Sequence, residues 1–340
     1  KGGPAMVYEL RPFIDTVENI IKSHELEQPG QYRRWNENGA DRDMGLNPYG
    51  CADAANILYT IGRFPREIDE RRSWVEALQA LQNAESGFFE EATHHPIHTT
   101  AHCIAALELF DAGPRHRVAD LLQYKDVEKM RGFLDGLDWK ENPWPQSHQG
   151  AGFYVALVLT GEVDLEWQDA YFDWLAAETD PETGFLRRGC VPAVESTRNR
   201  GIFPSLAGTF HYMFNCEYAR RMLPYPESRI DSCIEIWEKN VFPSLGKAIN
   251  FAEIDWVFCL TRSMRRTDHR HGDAMAALED FAAHYIPFVL SLDPETHDGL
   301  NDLHALFGAM CCLAELQWAL PGRLRTDTPL RLVLDRRPFI

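Results

Sequence analysis

Apolar residues recur along the chain with a period near 3.6, in runs separated by clusters of Gly, Pro, Asn and Asp, and strand-like alternation is nearly absent. The pattern predicts twelve helices in six pairs. The first member of each pair is amphipathic and falls at about 9–26, 68–83, 116–136, 165–178, 227–240 and 273–290. The second is richer in Ala, Cys, Leu and aromatics and falls at about 50–63, 97–111, 149–160, 205–221, 250–264 and 302–318. The first set carries charge on one face, as in Arg66, Glu67, Asp69, Glu70 and Arg71. The second is apolar nearly all round, as in the run from Leu306 to Ala314, and such helices must be buried between other layers.

The second helices begin near 50, 97, 149, 205, 250 and 302, so their spacings are 47, 52, 56, 45 and 52 residues. A period of this size signals a repeat architecture. Local sequence echoes it: Ala84–Phe88, Asp180–Phe185 and Asp293–Leu300 each place a turn at one point of a repeat. Six pairs suffice to close a ring with apolar helices inside and amphipathic ones outside, and no seventh pair follows residue 322. The expected fold is all-α, a single (α/α)6 toroid over residues 6–322; the alternative is an open helical solenoid. The tail, 323–340, carries five arginines among Leu and Pro and is expected to wrap the ring or meet a second subunit. Lys1–Ala5 reads as a cloning remnant ahead of a native start at Met6.

The segment Leu78–Phe89 followed by His98–Leu109 resembles a repeat of the terpenoid cyclase/protein prenyltransferase type of toroid. Six-hairpin glycosidases and uronate-processing lyases share that barrel plan. The resemblance implies the fold and leaves the reaction open. Gly50–Ala55 keeps one aspartate, Asp53, where the class II cyclase acid motif clusters several, and no DDxxD motif is present.

Composition narrows the classes. The 340 residues carry a net charge of −17, which argues against a nucleic-acid partner. No apolar run is long enough for a membrane span. Eight scattered cysteines with no CxxC, several in apolar runs, fit a reducing compartment; with no signal peptide visible, a cytoplasmic location is expected. The oligomeric state is left open.

Links from second helix to the next first helix are short, whereas links from first to second helix are longer, for example 27–49 and 179–204. In a ring the long links share one face, where function concentrates and where the N-termini of the inner helices favour anions. Histidines, carboxylates and aromatics gather there. Candidate catalytic residues are Asp53, His98, His102, His148, Glu253, Asp255 and Asp302; candidate substrate-binding residues are Tyr49, His94, His95, Trp144, Gln149, Arg198, Phe203, His211, Asn250 and Trp256. Plainer roles compete. A histidine at a helix start satisfies loop groups, Asp298 and Asp302 serve as helix caps, and the 187–200 arginines form a solvated loop. His98 and His102 have the helical spacing of metal ligands, but no HExxH or CxxC accompanies them, so no cofactor is expected and activity is expected to survive chelation.

The expected function is an enzyme acting on a small molecule or oligosaccharide, a sugar bearing a carboxylate, by general acid–base chemistry of the hydrolase or lyase kind at the barrel mouth. One alternative is a terpenoid cyclase- or prenyltransferase-like enzyme with an apolar lumen. The other is a non-catalytic helical-repeat binding protein with a plugged lumen.

Overall fold

The structure, a computed structural model, describes residues 6–39, 41–196 and 201–340. The chain runs through β1 (Tyr8–Glu9), α1 (Arg11–His24), α2 (Pro48–Thr60), α3 (Ile68–Gln79), α4 (Pro96–Glu108), a 3-10 helix over Ala119–Lys125 and α5 (Val127–Gly136). It continues through α6 (Pro143–Leu159), α7 (Leu165–Glu178), α8 (Phe203–Tyr218), α9 (Pro226–Glu238), α10 (Ala252–Met264) and α11 (His271–Ser291). It ends with α12 (Asp298–Asn301), α13 (Leu303–Ala319), β2 (Leu324–Arg325) and α14 (Val333–Arg336). Helix accounts for 57% and strand for 3%, so the fold is all-α.

The two predicted helix sets separate as their patterns require. α1 buries Phe13, Ile14, Val17, Ile20 and Ile21, a stripe at helical spacing, and leaves its charged face outward. α13 instead buries an unbroken run from Leu306 to Leu316. The apolar helices pack in cyclic order: α2 on α4, α4 on α6, α6 on α8, α8 on α10, α10 on α13, and α13 back on α2. The amphipathic helices flank them, α1 and α3 on α2, α9 on α10, and α11 on α10 and α13. Close approach between apolar helices depends on small residues. A Cβ on Gly150 of α6 would lie 1.9 Å from the Tyr212 hydroxyl of α8.

The sequence echo is a recurring turn. Asn83 Oδ1 accepts from the Glu85 and Ser86 amides, Asp180 Oδ1 from those of Glu182 and Thr183, and Asp293 Oδ1 from that of Glu295. The chain beyond the turn is then tied to the apolar helix: the Phe89 amide donates to Thr100 Oγ1 and the Leu186 amide to Thr209 Oγ1. Two boundaries differ from the sequence reading. α6 begins at Pro143 rather than near 149, because proline fits the first turn of a helix and so Pro143-Trp144-Pro145 opens it. The helix expected over 116–136 is broken where the Asp126 side chain accepts from the Lys129 amide and starts α5 afresh.

The tail packs inward, in place of the expected wrap or subunit contact. β2 pairs in parallel with β1, joining the two ends of the repeat array. α14 then packs on α8 and α2, and Asn215 Nδ2 donates to the Pro338 carbonyl. Phe339 comes to rest among Phe214, His98 and His102, between the apolar helices. Arg262 of α10 ties this region together. Its buried guanidinium pairs with Glu315 of α13 and Asp335 of α14 and lies 3.3 Å from Glu217 of α8. No helix among the described residues is long and apolar enough to cross a membrane.

Candidate functional site

A cavity of about 800 Å³ opens at the N-terminal ends of the apolar helices, on the long-loop side. Its lining carries five imidazoles: His94 and His98 from the approach to α4 and its first turn, His148 from α6, His211 from α8 and His304 from α13. Rings and prolines share the lining, including Trp144, Phe203, Pro204, Pro243 and Phe251, and Phe251 lies 4.6 Å from the His304 ring. Asp255 of α10 reaches the same space, and Ile340 of the tail closes part of it. Five apolar helices, α4, α6, α8, α10 and α13, therefore contribute to a single cavity.

Behind the imidazoles lies a buried chain of hydrogen bonds. A carboxylate only accepts, so His102 donates Nε2–H to Asp53 Oδ1 at 2.6 Å and His304 donates Nδ1–H to Asp53 Oδ2 at 2.9 Å. Asn56 Nδ2 also donates to Asp53, at 3.2 Å. Burial alone would raise the Asp53 carboxyl, but the two imidazoles outweigh it and hold the group below the usual carboxylate range. His98 Nδ1 lies 2.6 Å from the Tyr49 hydroxyl. His94 Nδ1 lies 2.7 Å from Thr93 Oγ1, with Glu91 behind it at 3.8 Å. His211 Nδ1 lies 2.7 Å from Ser147 Oγ.

Four of the imidazoles facing the cavity, His98, His148, His211 and His304, are neutral at physiological pH. Burial pushes His211 and His304 down to about 3, in His304 against the pull of Asp53. Burial, reinforced by the neighbouring rings, takes His98 and His148 well below the ordinary histidine value. Asp255 shifts the opposite way. Its carboxyl is fully buried, neither oxygen has a hydrogen-bond partner, and burial beside Glu253 raises it well above the usual carboxylate range. Burial thus favours the protonated form of Asp255, which offers an O–H.

The remaining candidates are placed elsewhere. Trp256 is one residue, and therefore about 100° of helix, beyond Asp255. It turns away from the cavity, donates Nε1–H to the Cys233 carbonyl and packs on Trp237 and Phe281. Glu253 lies buried beside Ser244 and does not line the cavity. Asp302 caps α13 by accepting from the His304 amide, and it pairs with Arg34 at 2.8 Å. His95 caps α4 through the Ile97 amide, and Asn250 accepts from the Ala252 amide at the start of α10. Gln149 is half-buried on α6 outside the cavity lining. Asp53, Tyr49 and His102 stand one layer behind the cavity. Arg198 lies outside the described residues. Arg42, in the long loop before α2, is paired with Asp298 at 2.6 Å.

His304, Phe251, Phe210, Ile340 and Glu141 also line the cavity and are not among the candidates named from the sequence. His304 sits two residues after Asp302 in the sixth repeat, where its position at an apolar-helix start was the available signal.

Burial pushes the Glu253 carboxyl up to about 7. A carboxyl that is raised on folding costs stability as pH rises, because the unfolded chain ionises it first. Glu253→Gln removes that cost. The variant should exceed the wild type by about 3 kcal/mol near pH 8 and by about 1 kcal/mol near pH 5, read from denaturant midpoints. A difference independent of pH would contradict this.

Compared with family models, with curated proteins and with solved structures, the chain matches none.

Proposed function

We propose that the six helix pairs close as an (α/α)6 toroid and that the protein is an enzyme acting on an uncharged, sugar-sized substrate in the mouth cavity. The cyclic packing of the apolar helices supports the closed ring. The observation that carries the function is the cavity's mixed lining, in which five imidazoles, four of them neutral, and the buried carboxyl of Asp255 share one space with the rings of Trp144, Phe203 and Phe251. A dense row of desolvated polar groups is costly unless a ligand supplies hydrogen bonds, and hydroxyls do so as both donors and acceptors. Trp144 and Phe203 offer flat faces to a sugar ring. No Arg or Lys is among the described residues lining the cavity, and Asn47, His95, Asn250 and Asp302 each occupy an amide at the start of α2, α4, α10 and α13. This favours a neutral sugar over a uronate.

In this reading Asp255 is the general acid. It gives its proton to the departing oxygen as the C–O bond breaks, and the carbon left behind is taken by water, which loses a proton, in a hydrolase or sheds a neighbouring proton to form a double bond in a lyase. His148 and His211 orient hydroxyls. A second reading, isoprenoid-like chemistry, draws on the apolar rings of Phe203, Phe210 and Phe251.

The test is a thermal-shift panel of neutral sugars, uronates, sugar phosphates and isoprenoid diphosphates. A neutral sugar at 100 times its Kd should stabilise the protein by about 2.7 kcal/mol, a shift of several degrees, and Trp144→Ala should abolish the response. A response confined to isoprenoid diphosphates would replace the leading reading with the second.

A further inference from the structure

We propose that His94, His98 and His304 form a three-histidine site for a divalent transition-metal ion of the zinc class, open toward the cavity. This inference does not depend on the substrate class proposed above. A ring nitrogen from each residue lies within 4.8 Å of those of the other two. The residues come from the approach to α4, from its first turn and from the first turn of α13, so the fold, not the spacing in sequence, assembles them.

A second observation points to the ligand. In each ring Nδ1 is already engaged by an oxygen behind it: Thr93 Oγ1 for His94, Tyr49 Oη for His98 and Asp53 Oδ2 for His304. Nε2 is the nitrogen each ring has left, and no hydrogen-bond partner reaches it among the described residues. Imidazoles that bind a metal through one nitrogen are characteristically held through the other by a carboxylate, hydroxyl or carbonyl. Asp53 does this for His304 while fixed in turn by His102 Nε2–H. His98 and His304 are buried and His94 is partly exposed, so the set opens on its cavity side.

Four-coordinate zinc holds nitrogen at about 2.0–2.1 Å, which places neighbouring ligand nitrogens roughly 3.4 Å apart. The three nitrogens, within 4.8 Å of one another, exceed that spacing by at most about 1.4 Å, the gap that ring rotation would have to close on binding. Three imidazoles with an open fourth position correspond to a catalytic rather than a structural metal site. The cavity supplies room at that position for water or for a substrate oxygen. His102, which has the helical spacing of a partner to His98, is instead committed to Asp53.

The experiment uses the full chain, stripped with a chelator and titrated with Co²⁺. One equivalent should produce the strong visible absorption of four-coordinate cobalt, and Zn²⁺ should bleach it stoichiometrically. His94→Ala, His98→Ala and His304→Ala should each weaken binding at least about 100-fold, while Asp53→Asn should weaken it about 10–100-fold by releasing His304. His284→Ala, on the surface, should leave it unchanged. His94 is partly exposed, so its variant keeps the test available if the buried variants fold poorly. Absence of a saturable one-to-one cobalt complex would overturn the proposal, as would binding that survives His94→Ala in folded protein.

Discussion

Arg262→Ala should lower the unfolding free energy by about 3–5 kcal/mol, the cost of breaking a buried ion pair by removing one partner. The guanidinium is buried and joins Glu315 of α13 and Asp335 of α14, with Glu217 of α8 nearby. Its loss leaves Glu315, only 3% exposed, without a countercharge. The same substitution removes the tail's tie through Asp335. Arg262→Met combined with Glu315→Leu should recover most of the loss, because removing both charges while keeping volume avoids the stranded carboxylate. Glu217 keeps Arg266 at 2.7 Å, and Asp335 is 41% exposed, so neither is stranded by the double change. Denaturant midpoints of the two variants check this. A double variant no more stable than Arg262→Ala would show that the guanidinium acts by something other than pairing.

Asp53→Ala should cost a similar amount, about 3–5 kcal/mol at neutral pH. Asp53 is fully buried and is the common acceptor for His102 and His304, which hold the cavity wall from two different helices. Without it two imidazole N–H groups lose their acceptor in a low-polarity interior. The pH dependence follows from the lowered carboxyl. Its stabilisation is complete above the ordinary carboxylate value of about 3.9 and fades only as pH falls through the still lower value in the fold. The gap between wild type and Asp53→Ala should therefore be constant from pH 6 to pH 8. A gap that opened only at acidic pH would mean that Asp53 is not the ionised acceptor.

The architecture was legible because its signal is periodic. Helices apolar on every side alternate with amphipathic ones, and the Asn83, Asp180 and Asp293 turns repeat the same hydrogen bonds in three places. The site was legible in part, for a geometric reason. Asp255 and Trp256 are adjacent in sequence, and helix geometry points only one of them inward. His98 and His102 share a face, but one turn of helix carries His102 below the cavity to Asp53. Asp302 was visible as a carboxylate on the long-loop side, yet its cap to His304 and its pairing with Arg34, from the opposite end of the chain, are tertiary facts. The inward path of the tail, with Phe339 against His98, likewise has no local signature.

The central claim is that imidazoles from four helices line one ligand-binding cavity. It is tested most directly by recording the imidazole nitrogen resonances of the histidines during titration with the strongest neutral sugar from the thermal-shift panel. The account predicts that His148, His211 and His304 shift together along one binding isotherm, while the surface residues His269 and His284 stay fixed. It further predicts that His304 is the Nδ1–H tautomer before ligand is added. Shifts confined to surface histidines, or binding that leaves all three cavity residues unmoved, would contradict it.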